Sequence, residues 1–337
     1  MSDNFLAAQR IVIFRNGSIG NTLVALPLIK SLKHRLHSHI TVIVDSVGYE
    51  LLANTPYIDH LIVYEKRGKD RGLFNHMKLI NKLRHNTYDV AILLKRFFRN
   101  ELLAYLAGIK ERIGFQSLHV KPFKLTRVMP YSEEENIIDL NLRLLTFFNI
   151  QPEDDRLEIF PSDYEKKIAQ DFLHTHKLFE KDYFIAHFGG NTLKETKWPA
   201  EKYALLCEKI LHATHKSVIL ICGPDEIEFN RQIVHCVNPH QRASLTLANT
   251  LPLKSSACLI EKSLLFFGND SGPSHLADAV GKKSLIFFSH KENIRRQIEK
   301  WKPKGAQFIP LYSEDGNINN VRVDRAFEKF NFLLNNF

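Results

Sequence analysis

The chain of 337 residues is 44% hydrophobic and 25% charged, with 15 glycines, 13 prolines and four cysteines. That balance excludes a disordered, collagen-like or disulfide-stapled chain, and the length accommodates about two domains with separate cores. The net charge of +9 is uneven, because residues 1–150 hold 21 basic against 13 acidic residues and the remainder is nearly balanced.

No apolar run approaches the ~20 residues of a membrane-spanning helix. The opening Met1–Asn4 lacks the basic-then-apolar order of a signal peptide, so a cytoplasmic location is expected. Arg10–Arg15 reads as a strand buried on both faces. It leads through a loop containing Gly17 and Gly20 into a helix expected over 21–36 and kinked at Pro27. Strands follow at His39–Val44, Leu61–Tyr64 and Tyr88–Leu94, the last preceded by a helix over Phe74–His85. This alternation predicts a parallel α/β sheet. The charged stretch Gln151–Asp182, with a surface helix over Asp163–Phe179, holds the expected domain boundary. The pattern then restarts, with strands at Tyr183–Phe188, Ser217–Cys222, Ser263–Phe267 and Ser284–Phe288. Pro199 opens a helix after a long polar loop, and Asp324–Phe337 reads as an amphipathic, Phe-rich helix.

Four loops carry candidate chemistry. Asn269–His275 lies between a buried strand and a short helix. Gly272 permits close approach of a ligand and Pro273 suits a helix start, whose free N–H groups and dipole attract an anion. The same residues also make an ordinary helix cap. In the loop 189–199, after Gly189-Gly190, Lys194 or Lys197 can hold a diphosphate. The loop Arg15–Asn21 lacks the GxGxxG spacing and no acidic residue stands at the ribose position, which disfavours a dinucleotide enzyme. It can still receive an anionic substrate. Lys95, Arg96 and Arg99 follow a central strand, either aimed at the ligand-binding edge or forming a solvated helix start. One short basic–aromatic run is poor support for nucleic-acid binding.

Sixteen histidines offer only the i,i+2 pairs His37/His39 and His174/His176, without a third ligand. Cys207, Cys222, Cys236 and Cys258 form no CxxC pair and are expected as reduced, mostly buried thiols. Neither a metal nor a cofactor is expected.

The chain as a whole resembles glycosyltransferase family 9, the lipopolysaccharide heptosyltransferases. The resemblance is carried by Ile11–Pro27, by Arg112–Phe115, by Lys197-Trp198-Pro199, by Gly223-Pro224-Asp225-Glu226 and most specifically by Gly268–Ala277. It implies the GT-B architecture, two Rossmann-like domains facing each other across a cleft. These are an acceptor domain over 1–160 and a nucleotide-sugar domain over 161–320. A closing helix over 321–337 is expected to pack back on the first domain. It further implies inverting, metal-independent transfer of heptose from ADP-L-glycero-β-D-manno-heptose to the lipopolysaccharide inner core. The implied place is the cytoplasm of a Gram-negative bacterium, at the periphery of the inner membrane, with no nucleic-acid partner.

By resemblance, Ser271 and Gly272 bind the diphosphate, Asp270 holds donor-sugar hydroxyls and His275 supports the site. Lys197 and Lys194 bind phosphate, and Glu226 contacts the ribose. The acceptor falls to Arg15, Ser18, Gly20, Lys95, Arg96 and Arg99. The residue after Gly20 is Asn21 where the family places an aspartate as base, and a carboxamide accepts no proton at neutral pH. Asp45 or Glu101 then serves instead, or the leaving diphosphate takes the proton, or the chain is a weak or inactive member. The remaining alternatives are another nucleotide sugar or acceptor, and a non-catalytic sugar-nucleotide binder.

Overall fold

A computed structural model describes residues 8–65, 68, 70–95, 97–116, 123–190, 197–290 and 292–336. They form two compact units, Met1–Arg156 and Leu157–Phe337. Among the described residues no helix is long and apolar enough to cross a membrane.

The first unit runs β1 (Arg10–Phe14), α1 (Ile19–Leu23), α2 (Leu26–Leu36), β2 (His39–Val44), α3 (Ser46–Leu52), β3 (His60–Val63), α4 (Leu73–His85), β4 (Val90–Leu93), α5 (Phe98–Leu106), β5 (Glu111–Gln116), β6 (Arg127–Pro130) and α6 (Ile137–Leu142). All strand pairs are parallel, in the order β3-β2-β1-β4-β5-β6. β4, and β1 after Arg10, are apolar and buried because helices cover both faces. On one face, Leu79, Ile80 and Leu83 of α4 and Leu103 and Ala104 of α5 close over Val12, Phe14, Ile43 and Leu93.

The expected helix over 21–36 is two helices. Val24 and Ala25 break the first, and Pro27 stands in the first turn of α2, where a missing N–H costs nothing. The second helix begins with Ile29 N–H donating to Ala25.

The second unit runs α7 (Asp163–Thr175), β7 (Tyr183–His187), α8 (Ala200–Thr214), β8 (Ser217–Cys222), α9 (Ile227–Cys236), β9 (Leu245–Asn249), α10 (Leu253–Lys262), β10 (Phe266–Asn269), α11 (Gly272–Ala279), β11 (Ser284–Phe287), α12 (Ile294–Trp301), β12 (Phe308–Leu311) and α13 (Val323–Asn335). Its sheet is again parallel, β12-β11-β10-β7-β8-β9. Counted from the first strand of each unit, both sheets have the order of a Rossmann fold.

One expectation changes here. The strand expected over Ser263–Phe267 is β10, shifted onward so that Gly268 and Asn269 become strand residues. The closing helix packs against α8, β11 and β12 of this unit. Its stripe of Ala326, Phe330 and Leu333 recurs at helical spacing and fits this core, with the Phe330 ring edge-on to Phe184 and Phe267. The cysteines are all free. Cys207 and Cys258 are buried as expected, whereas Cys222 is half-buried and Cys236 is exposed at the end of α9.

Candidate active site

In an open parallel sheet, ligands gather where neighbouring strands send their connections in opposite directions. In the second unit that point lies between β7 and β10, which pair through Phe266–Gly268 and Ile185–His187. The two strand ends bring His187, Gly189 and Gly190 beside Asn269, Asp270 and Ser271.

Three side chains from three segments form a chain of contacts. Ser271 Oγ lies 3.0 Å from His187 Nδ1, and His187 Nε2 lies 3.0 Å from Glu226 Oε2. A carboxylate can only accept, so the imidazole carries a proton on Nε2. Glu226 also accepts from Gly223 N–H at 3.0 Å and Gly190 N–H at 2.6 Å. Burial alone would raise the Glu226 pKa, but the His187 hydrogen bond and charge, with the two glycine amides, outweigh it and hold the group at about 2. This closeness requires a bare residue at 189, where a Cβ would lie 1.8 Å from Glu226 Oε1.

Asn269 clamps the same loop from the other side. Its amide donates to Phe188 and Gly189 carbonyls at 2.8 and 3.0 Å, and its oxygen accepts from Tyr203 at 2.7 Å. The Tyr203 oxygen accepts the Trp198 N–H, and Trp198 is 1% exposed, donating through its indole to Ile318. Trp198 is thus fixed between Tyr203 and Ile318.

Ser271 is the N-cap of α11, yet its side chain makes no capping bond. Its Oγ is engaged with His187 Nδ1 and with the Asn269 carbonyl at 3.1 Å. The hydroxyl that would ordinarily satisfy the first turn is held away, which leaves the helix start and its dipole to an anion.

Asp270 accepts from Gln297 at 3.1 Å, and burial lifts its carboxyl to about 6 despite that bond. His275 is buried edge-on against Trp301, and burial lowers it to about 4, so the ring is neutral at physiological pH. Lys197 places its amine 4.1 Å from the Phe229 ring centroid, a cation–π contact on α9. Lys194 lies outside the described residues.

The Asp270 shift has a testable sign. The folded state holds this proton more tightly than the unfolded chain. Its contribution is therefore fully present below pH 3.8 and is lost as pH rises through about 6. Asp270→Asn removes a disfavoured charge, and is expected to stabilise the protein by up to about 3 kcal/mol at pH 8, with little difference near pH 4. Calorimetry across pH checks this. A stability difference that does not change with pH would contradict it.

The first unit places its switch point between β1 and β4. Arg15, next after β1, is buried, and burial pulls its guanidinium down to about 10. It donates to the Asn21 carbonyl and, at 2.9 Å, to Asn21 Oδ1. Arg15 therefore orients Asn21 and does not face solvent for an acceptor. Asn21 donates in turn to Ser18 Oγ at 2.8 Å. Ser18 is exposed and Gly20 is buried within α1. Lys95 is half-buried with its amine 5.0 Å from the Phe97 ring centroid, and Arg99 is exposed. Arg96 lies outside the described residues.

Both carboxylates considered as substitute bases are engaged elsewhere. Asp45 accepts from Gly17 N–H and caps α3 at Gly48 N–H, each at 3.0 Å. Glu101 is buried and accepts the Phe123 and Lys124 amides at 2.7 and 3.0 Å. Both are bound into backbone support.

Sequence reasoning thus named Ser271, Glu226 and Asp270 but missed His187, which joins the first two, and Gln297. The available signal was a histidine ending an otherwise apolar strand. Among the described residues no three His, Cys, Asp or Glu side chains converge as metal ligands.

The profile of glycosyltransferase family 9 (heptosyltransferase) matches residues 76–316. Lipopolysaccharide heptosyltransferase 1 of Campylobacter coli is 23% identical over 303 residues, covering 86% of this chain and 87% of that protein. A family 9 glycosyl transferase of Veillonella parvula superposes with a TM-score of 0.86 at 19% identity, covering 100% and 99% of the two chains. The E. coli heptosyltransferase WaaC, solved with ADP-2-deoxy-2-fluoro heptose, gives 0.71 at 15% identity, covering 95% and 98%. These solved structures share the fold, which is GT-B.

Proposed function

The chain belongs to glycosyltransferase family 9 and is a glycosyltransferase, and from that premise we propose transfer of a heptose from ADP-L-glycero-β-D-manno-heptose to the lipopolysaccharide inner core, with inversion and without a metal ion. Heptosyl transfer in lipopolysaccharide synthesis is the activity of its relatives in general. The observation that carries the finer reading is the start of α11, held open by the turning of Ser271 toward His187.

In this reading the second unit binds the donor. The Ser271–Gly272 backbone and the α11 dipole receive the diphosphate, with Lys197 nearby in sequence on the same loop, and Lys194 remains a candidate. Glu226 braces Gly190, Gly223 and His187, and retains an acceptor direction on Oε1 for a ribose hydroxyl. Asp270, ionised above pH ~6, accepts donor-sugar hydroxyls, and neutral His275 supports the site from its place against Trp301. The first unit binds the anionic glycolipid, through Ser18, Lys95, Arg96 and Arg99, with Gly20 shaping the loop. The enzyme works in the cytoplasm, at the inner membrane that carries the acceptor.

The acceptor hydroxyl oxygen attacks the anomeric carbon as the bond to the β-phosphate oxygen breaks. ADP departs with the bonding pair. Amides fixed before reaction stabilise the growing charge, a device worth about 2.7–4 kcal/mol per donor in oxyanion holes. Asn21, oriented by Arg15, holds the acceptor hydroxyl by hydrogen bonding and accepts no proton. With Asp45 and Glu101 committed to backbone N–H groups, the departing diphosphate takes the proton.

The test is single-turnover transfer from ADP-heptose to heptose-deficient inner-core lipopolysaccharide, by the natural chain and by Asn21→Asp. The natural chain is expected to turn over. The aspartate is nearly isosteric and keeps the Arg15 contact, and a general base typically contributes about 10²–10⁴-fold. Arg15 beside it weakens that base, so a gain near the lower end, about 10²-fold, is expected. If neither protein transfers heptose, the reading is overturned, and thermal shifts across ADP-, GDP- and UDP-sugars identify the donor.

A further inference from the structure

We propose that the rim of the first unit formed by the starts of α4 and α5 docks on an anionic bilayer surface. The inference rests on the reading above only in that a lipid-anchored acceptor gives the docking its purpose.

Charge comes first. Residues 66–127 hold 15 basic against 4 acidic residues, a surplus larger than the +9 of the whole chain. One segment therefore accounts for the basic character of the protein.

The same segment exposes large apolar groups. α4 buries Leu79, Ile80 and Leu83 as its core stripe. Its first two turns leave Leu73 at 80%, Phe74 at 72% and Met77 at 43% exposure. In α5, Phe98 is 57% exposed and its ring lies 4.6 Å from that of Phe123, itself 48% exposed. A helix that already has a full core stripe gains nothing in water from a second apolar face.

These groups share one edge. Both helices follow strand ends, so both begin at the edge where the Arg15–Asn21 loop also lies. The His76 ring of α4 is 6.0 Å from Tyr64, at the end of β3, and the Arg99 charge of α5 acts on that same Tyr64. α4 and α5 also pack on each other.

Cations stand over the exposed rings. Lys78 Nζ lies 4.6 Å from the Phe74 ring centroid, and Lys124 Nζ lies 4.9 Å from that of Phe123. Apolar side chains beside lysines suit the headgroup boundary, where the rings enter the acyl edge and the amines meet phosphate. A single-stranded nucleic acid would use the rings for stacking but has no use for Leu73 and Met77.

The experiment is co-sedimentation of the full chain with large unilamellar vesicles of phosphatidylcholine, with and without phosphatidylglycerol. Binding is expected only with phosphatidylglycerol, and weaker at high salt. Leu73→Ser/Phe74→Ser/Phe98→Ser is expected to lower partitioning by about tenfold or more. This variant should keep its melting temperature and its transfer to a deacylated, water-soluble acceptor. Lys78→Glu/Lys124→Glu, which retains the apolar groups, should lower partitioning by a similar factor. Partitioning that ignores phosphatidylglycerol or is unchanged in both variants overturns the proposal. So does preferential binding of single-stranded nucleic acid over the vesicles. Vesicle binding that follows the expected pattern without any heptose transfer defeats the donor and acceptor assignment and leaves the docking surface standing.

Discussion

Alanine in place of Gly268 is expected to lower the melting temperature of the second unit by about 6–12 °C, from a loss of about 3 kcal/mol. Gly268 sits opposite His187 where β10 pairs with β7. A Cβ there would lie 2.1 Å from the His187 carbonyl oxygen and 3.0 Å from its carbonyl carbon and amide nitrogen. All three are backbone atoms of the neighbouring strand, so no side chain can swing aside to make room. Relief requires the two central strands to separate, which breaks the ladder and displaces His187 together. Gly281→Ala is the control, since its φ of +66° is unfavourable for alanine but its Cβ would meet nothing within 4 Å. That variant should cost only about 1 kcal/mol. Calorimetry on both decides the matter, and similar melting temperatures for the two would show that the strands tolerate the intrusion.

Removal of the His187 imidazole should cost about 10²-fold in kcat/KM for the donor, the scale of losing one preorganised donor to a developing anion. The loss is expected through Ser271. With His187→Ala, the Ser271 hydroxyl loses its 3.0 Å partner and can rotate to its ordinary place as N-cap. In the proposed donor site it then competes with the diphosphate for the first-turn amides of α11. Glu226 also loses its largest downward influence and titrates nearer the usual carboxylate range. His187 is thus a positioning residue, and a double-mutant cycle separates that role from a merely structural one. Ser271→Ala added to His187→Ala should cause no further loss, because an alanine cannot cap. Losses that multiply would refute the coupling, as would unchanged ADP affinity by calorimetry in His187→Ala.

The parts of the fold legible in the sequence are those buried on both faces. The middles of β1, β2, β7 and β8 are mainly apolar and buried on both faces, and such runs announce themselves. β6, β9 and β12 are sheet edges, and β5 stands next to one. They carry arginine, asparagine or proline, and Pro130 and Pro310 speak against strands until one sees that an edge tolerates a missing N–H. The second Rossmann unit was visible as a restart of the pattern, but the surface that covers the α13 stripe, on α8, β11 and β12, was not. An amphipathic stripe shows that a helix must be covered and does not name the covering surface.

The site divides along the same line. Asn269–His275 is local, and its glycine and proline mark a helix start in any reading. His187 meets Glu226 across 39 residues and Ser271 across 84, separations at which a single histidine has no visible partner. Asp45 and Glu101 show the opposite limit. Each looked available because the groups that occupy them are backbone amides, which no sequence displays.

The grip of Arg15 on Asn21 has a consequence in evolutionary time. Its guanidinium holds a main-chain carbonyl and one side-chain oxygen, both of which an aspartate would present equally. The codons for asparagine and aspartate differ by a single base. One point mutation therefore adds or removes a proton acceptor here without asking the loop to refold. Under the proposed mechanism, a lineage that loses the base persists on the slower chemistry of positioning and leaving-group charge, and recovers it in one step.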